Sequence, residues 1–387
     1  MIISPPKTWH FILLSSFLLF NQLGCSADQA TLDLPKPLPP DQEGPYTVAN
    51  TTIEAVDETR ERALTLEIWY PSADRLTDGE SPIKFERDES SQNELSTLYD
   101  LAPHHCPTLN THSVKDGNPL TSKTPYPLIL FSHCFNCGRY SSFSLAERLA
   151  SHGMLVISVD HAGQLPFLST SIGEKLSPEQ LQVRVQDLNF VTKSALSGEL
   201  FTYSERLQDL LIDPDKIGVF GHSFGSVTAA FFADQEPLVA AVAGLAAPMQ
   251  NPLFPGFAIE DLNIPSLLLL AEEDNSIGEI GNRLIRSNFE KAMTPIWKIT
   301  IADGGHWSLS DLCGLTEAFG PGCGSGIRHS DQGAGEVFDY IPVADGIKIT
   351  QNYLTAFFQA HLEQRQDGLN YLEAPSQDPR VSIQQRP

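Results

Sequence analysis

In the stretch "KIGVFGHSFGSVTAAFF" an apolar run ends in Gly221-His222-Ser223-Phe224-Gly225, and a series of small residues follows. This is the pattern of a nucleophile elbow, G-x-S-x-G, in which the serine sits on a sharp, strained turn between a strand and a helix. Glycine at 221 and 225 suits a turn where the two backbones pass closely. A serine hydroxyl becomes a competent nucleophile when a base takes its proton and a carboxylate orients that base. "PSLLLLAEEDNSIG" reads as a buried strand ending in three acidic residues. Asp274, just past the strand end, is the candidate acid; Glu272 and Glu273 are its rivals, better explained as solvated loop charges or a strand-end partner. "IWKITIADGGHWSLSD" is the next strand, and the Gly304-Gly305 turn after it presents His306, the candidate base. Of the eleven histidines, His222, His152 and His161 read as local packing or turn residues and His329 as a loop residue. The order serine, acid, histidine along the chain is the one that elbow enzymes use.

Positioning these groups requires a scaffold of alternating elements. "YPLILFSH", "GMLVISVD", "KIGVFGHS", "LVAAVAGLA", "IPSLLLLAEE" and "IWKITIAD" are short, nearly continuous apolar runs, as in parallel strands buried on both faces, and "TLEIWYP" alternates and stops at proline. Between them "SSFSLAERLASHG", "LQVRVQDLNFVTKSAL", "GSVTAAFFADQ" and "IGNRLIRSNFEKAM" read as helices. The alternation predicts an α/β fold: one doubly wound, mostly parallel sheet with helices on both faces, spanning residues 46–362. Residues 74–124 and 161–178 interrupt it and are expected to cross over the strand ends, the second as a candidate lid. Residues 363–387 are polar and patternless, which predicts a loose tail.

The chain has 387 residues, 41% hydrophobic, with a formal charge of −23. Such a surface repels nucleic acid and anionic lipid, which sets aside both as partners. Residues 1–24 carry Lys7 and a largely apolar run from Trp9 to Phe20, the pattern of an export signal and short of a membrane span. "Gln22-Leu23-Gly24-Cys25" resembles a bacterial lipoprotein cleavage box, which would make Cys25 a lipidated N-terminus; simple cleavage near Ala27 or Ala30 is the alternative. The expected location is the periplasm or outer membrane, or alternatively the exterior. The Pro-rich stretch that follows, within residues 25–45, reads as a tether. Export favours disulfides. Beyond Cys25 the odd number of cysteines leaves a thiol over. Cys313 and Cys323, around a short Gly-rich loop, are the expected bridge, and Cys106 is expected to pair with Cys134 or Cys137.

With Ser223, Asp274 and His306 in place, the chain resembles the α/β-hydrolase superfamily. "GPYTVANTTIE...LTLEIWYPS", "PLILFSHCFNCGRYSSFSLAERLASHGMLVISVDHAG", "RVQDLNFVTKSAL" and "IDPDKIGVFGHSFG" are similar to the bacterial group of predicted dienelactone hydrolases. That group is related to platelet-activating-factor acetylhydrolases and cutinase-like polyester hydrolases. Dienelactone hydrolases proper use a cysteine nucleophile, so Ser223 argues against lactone chemistry. In the acetylhydrolases the acid ends the strand after the elbow helix; here that strand reads "VAGLAAPM" and has no carboxylate. The acid must come from Asp274, one strand later, as in the polyester hydrolases. The resemblance also implies an oxyanion hole made by the backbone N–H groups of Phe224 and Phe135, the latter in the loop after "LILFSH".

Cys134-Phe-Asn-Cys137 therefore falls in the oxyanion loop, Cys134 standing where relatives commonly have glycine. A thioredoxin-like pair and a zinc site from Cys134, Cys137, Cys106 and His104 or His105 are the competing readings. The expected function is hydrolysis of a small-molecule or lipid-like carboxylic ester through an acyl-enzyme, with no cofactor or metal. Trp307 and Phe254 are candidates for the substrate pocket, though aromatic residues at strand ends are as often core. A phospholipase-, acetylhydrolase- or polyester-hydrolase-like activity is the nearest alternative, and a non-catalytic surface binding protein is one of another class.

Overall fold

The computed structural model describes residue 1 and residues 36–74, 79–103, 106, 109–122, 124–161, 175–320, 322–331 and 333–387. The export signal, Cys25, His104, His105 and most of the candidate lid lie outside the described residues. Residues 36–387 form one compact unit.

The chain opens with two long strands, β1 (Thr47–Asp57) and β2 (Arg62–Ser72), followed by helix α1 (Glu89–Leu101) and the short β3 (Val114–Lys115). The alternation then runs β4 (Tyr126–Ser132), α2 (Phe143–Ser151), β5 (Leu155–Val159), α3 (Pro178–Leu196), β6 (Ile212–His222), α4 (Phe224–Gln235) and β7 (Val239–Leu245). It continues through β8 (Ser266–Ala271), α5 (Gly278–Lys291), β9 (Ile296–Ile301), a small hairpin of β10 (Ser325–Ile327) and β11 (Val337–Asp339), then α6 (Val343–His361), α7 (Gln366–Glu373) and β12 (Val381–Arg386). Every strand and helix expected above within residues 126–301 is present.

Among the described residues the main sheet has ten strands in the order β12-β9-β8-β7-β6-β4-β5-β2-β1-β3. Strands β4 to β9 are mutually parallel, while β2 and β12 run antiparallel at the flanks. The continuous apolar runs follow from burial on both faces. In β4, Ile129 and Phe131 join a core with α2 and α6, while Leu128 and Leu130 join a second core with α3, α4 and α5. From β4 the chain places β5 on one side and β6 on the other. The strand order therefore reverses between β4 and β6, and a crevice at the carboxyl ends of such strands is where open α/β sheets hold their ligands.

Local chemistry fixes the helix ends. Ser177 caps α3, its Oγ accepting from Gln180 N–H, with proline at the first turn, and Asp88 caps α1 by accepting from Ser91 N–H.

Two expectations are corrected, and a third segment gains detail. Residues 363–387 are not a loose tail: α7 packs on α6, and β12 pairs with β9, where Trp297 Nε1 donates to Gln385 Oε1 at 3.2 Å. Residues 36–45, the described part of the expected tether, do not hang free: buried Arg148 donates to Gln42 O and Gly44 N–H donates to Ser151 Oγ at 3.0 Å. The excursion at 74–124 folds α1 and a 3-10 turn onto the body, where Phe85 stacks on Tyr140 at 5.1 Å.

Candidate active site

The elbow has the backbone its sequence predicts. Ser223 has φ 56° and ψ −121°, a region in which an L-residue persists only when its surroundings hold it there. Its N–H donates to Leu245 O at 2.9 Å, and its carbonyl accepts from Ser226 N–H at 2.9 Å. The flanking glycines are needed for space. A Cβ on Gly221 would sit 1.9 Å from Gly225 O, and one on Gly225 would sit 1.9 Å from Ser132 O. The start of α4 thus lies directly against the end of β4, which brings Ser223 beside the loop that carries Phe135.

Asp274 follows β8 and His306 follows β9, adjacent parallel strands. Asp274 Oδ2 lies 2.7 Å from His306 Nδ1, both side chains buried. Asp274 Oδ1 accepts from the N–H groups of Ser276 and Ile277, each at 2.9 Å. The carboxylate is held in place, so it fixes the imidazole with its proton on Nδ1 and leaves Nε2 for proton transfer. Glu273 takes the other role considered for it: wholly buried, it accepts from Arg328, from Ser330 Oγ and from the N–H groups of His329 and Ser330.

His222 does more than fill the turn. Its Nε2–H donates to His306 O at 2.9 Å, and its ring stands 5.0 Å from the His306 ring. Burial, and then the nearby His306, pull its pKa down to about 3, so it stays neutral. Trp307 is buried edge-on to His222 and His306 and against Phe319. It forms a wall behind the His306 ring. Phe254 packs on Phe224 at 5.1 Å, beside the elbow.

The loop expected to supply an oxyanion donor begins where β4 ends. Phe135 is half-buried, and Asn136 takes a left-handed φ of 54°. Phe224 opens α4, so its N–H is one of the helix donors without an intrahelical acceptor. Beyond the loop, buried Arg139 donates through its backbone N–H and Nη1 to the two oxygens of Asp160, each at 2.6 Å.

The expected disulfides are corrected. Cys134 is bonded to Cys137, Cys106 to Cys323, and Cys313 is a buried free thiol. Gly314, with φ 76°, has no side chain, and Cys106 fills that space: a Cβ there would be 2.4 Å from the Cys106 Cβ. Cys106 thereby reaches Cys323 and displaces Cys313, whose thiol burial pushes up to about 12. The zinc set is consumed by the same bonds. Full reduction should have two effects. Opening the Cys106–Cys323 bridge, 217 residues apart in sequence, should cost about 2–5 kcal/mol and lower Tm by roughly 5–10 °C. Opening Cys134–Cys137 should lower kcat by loosening the Phe135 peptide. Thermal melts and ester turnover of Cys106→Ala and of the Cys134→Ala/Cys137→Ala double variant separate them; unchanged values would show that the bridges carry neither role.

A second Ser-His-Asp chain escaped the sequence reading. Ser132 Oγ lies 3.1 Å from His161 Nε2, and His161 Nδ1 lies 3.0 Å from Asp187 Oδ2. Ser132 is fully buried in a regular strand, so no carbonyl reaches it, and the chain lies beneath the loop that follows β4.

Asp311 ties the His306 loop to α2: its Oδ2 accepts from Ser144 N–H at 2.9 Å and Ser144 Oγ at 3.0 Å. Burial raises its pKa from 3.8 to about 8. The folded protein keeps a proton that the unfolded chain loses between those values, so this contribution to stability is full below about pH 4 and lost as pH rises to about 8. Asp311→Asn should flatten that slope in denaturant titrations across the interval; an unchanged slope contradicts it.

Among known proteins, residues 34–196 match the family model described as platelet-activating factor acetylhydrolase, isoform II. The platelet-activating factor acetylhydrolase of Canis lupus familiaris is 31% identical over 148 residues, 29% of this chain and 33% of that protein. The chain thus spans about one third of the length of that relative. The family match includes the loop after β4 and stops before Ser223. A solved structure of a ferulic acid esterase from Streptomyces cinnamoneus aligns with a TM-score of 0.62 and 24% identity over 87% of this chain and 96% of the esterase; that likeness establishes the fold. The order and direction of the strands, the elbow after β6 and the likeness to that esterase give the chain the α/β-hydrolase fold.

Proposed function

We propose that the protein is a serine hydrolase of carboxylic esters. The observation that carries the reading is the 2.7 Å contact between Asp274 Oδ2 and His306 Nδ1 at the ends of neighbouring strands, with Ser223 on a strained elbow one residue from a histidine bonded to His306 O. In this reading Ser223 Oγ attacks the ester carbonyl while His306 Nε2 takes its proton. The N–H groups of Phe135 and Phe224 stabilise the tetrahedral oxyanion, and Asp274 stabilises the imidazolium. The intermediate collapses to an acyl-enzyme as His306 returns the proton to the leaving alkoxide, and water repeats the sequence to release the acid. Export, with attachment through a lipidated Cys25, belongs to the same proposal and rests on the sequence of residues 1–25.

A phospholipid-type ester is the second reading, favoured by the acetylhydrolase match over residues 34–196. Against it stands the acid, which follows β8; after β7 the chain continues through Ala246, Ala247 and Met249 with no carboxylate. Hydrolysis of p-nitrophenyl esters from acetate to palmitate, alongside a short-chain phosphatidylcholine, tests the choice. Turnover confined to short and medium esters is expected. Preference for the phospholipid would favour the second reading, and no hydrolysis of any ester would overturn both.

A further inference from the structure

Arg184 projects from α3 and is fully buried. Its Nη1 donates to His133 O at 2.5 Å and its Nη2 to Cys134 O at 3.0 Å. Its guanidinium carbon also stands 4.6 Å from the centre of the Phe224 ring. One cation therefore touches both segments that supply the oxyanion donors. The Cys134 carbonyl and the Phe135 N–H belong to the same peptide unit, and a donor on the oxygen of an amide draws electron density from its nitrogen and strengthens the N–H as a donor. A charge-assisted bond in a buried, low-dielectric site does this more strongly than a neutral one. His133 adds to the effect. Its Nε2 accepts from His161 N–H at 3.2 Å, so its proton is on Nδ1, which donates to Cys134 O at 2.7 Å. Below them, Ser132 Oγ accepts from Arg184 Nη1 at 3.4 Å and donates to His161, which is anchored on Asp187.

We propose that Arg184 is a positioning residue for transition-state stabilisation, which holds and polarises the Cys134–Phe135 peptide so that its N–H binds the developing oxyanion. The inference rests on the esterase reading above. Removing a whole oxyanion donor costs about 10²–10³-fold in kcat in comparable sites, so weakening one should cost less.

The test measures kcat, KM and the inhibition constant of an aryl trifluoromethyl ketone, which forms a tetrahedral oxyanion adduct, at a temperature well below each variant's Tm. Arg184→Gln should lower kcat roughly 10–100-fold and weaken the ketone in proportion, with KM within about threefold; Arg184→Lys, which keeps the charge but not the paired geometry, should fall between. His133→Gln removes the second side-chain donor to Cys134 O, which also accepts from Cys137 N–H at 3.3 Å, and should show the same signature at smaller amplitude, which keeps the test open if Arg184→Gln fails to fold. A folded Arg184 variant, or His133→Gln, with unchanged kcat and ketone affinity, or with its loss in KM alone, overturns the proposal while leaving the esterase reading intact. A wild-type protein with no Ser223-dependent hydrolysis overturns both.

Discussion

Replacing Asp274 with Asn should lower kcat about 10⁴-fold with little change in KM. The amide occupies the same volume, but with its oxygen kept on the N–H groups of Ser276 and Ile277 it presents an N–H to His306 and so holds the ring in the tautomer with Nδ1 bare. A comparable carboxylate-to-amide change in a serine protease triad has that magnitude. The contacts of Asp274 Oδ1 with the N–H groups of Ser276 and Ile277 favour retention of the loop, so the loss should fall on chemistry. Glu273→Gln is the control. It leaves the imidazole partner untouched and weakens the link to Arg328 and Ser330, so it should change Tm more than kcat. Steady-state kinetics on both variants check this; equal losses in kcat would deny Asp274 its assigned role.

Gly225→Ala should lose both stability and activity. The new Cβ would meet Ser132 O at 1.9 Å, Ser132 C at 2.7 Å and His133 O at 3.0 Å. All three are backbone atoms, so no side chain can turn away, and α4 must move off the end of β4. Overpacking of this kind costs about 1–3 kcal/mol or more. The motion also separates the N–H groups of Phe224 and Phe135, and a displacement of about 1 Å in a catalytic constellation can cost about 10²-fold. A variant with a lower Tm and a kcat reduced at least tenfold is expected; wild-type values of both would mean that the elbow and the oxyanion loop are not packed as described.

The parts of the molecule that were legible in its sequence are those whose physics is local. Strands β4 to β9 announce themselves as apolar runs because both faces are covered, and Asp274 and His306 stand out as candidates because they are polar residues that follow such runs. What escaped depends on contacts distant in sequence. Arg184 lies in "RVQDL", where an arginine in an amphipathic helix reads as solvated. It is buried because its acceptors are carbonyls of an irregular loop some fifty residues earlier. Short spacing points to Cys313 with Cys323, whereas the gap at Gly314 admits Cys106, which bonds Cys323 instead. Strand β12 is polar on its outward side and gains its place from β9 alone, so alternation over Val381 and Ile383 was too short a signal. The Ser132-His161-Asp187 chain shows the converse: residue types alone do not make a triad without an exposed serine.

The central claim is that Ser223 is the nucleophile of an acyl-transfer site. Labelling the full chain with a fluorophosphonate, followed by proteolysis and mass mapping of the adduct, tests it most directly. The account predicts a single adduct on the peptide containing Gly221-His222-Ser223, slowed by His306→Gln and abolished together with ester turnover in Ser223→Ala. An adduct on another residue, Ser132 included, or turnover that survives in Ser223→Ala, would contradict it.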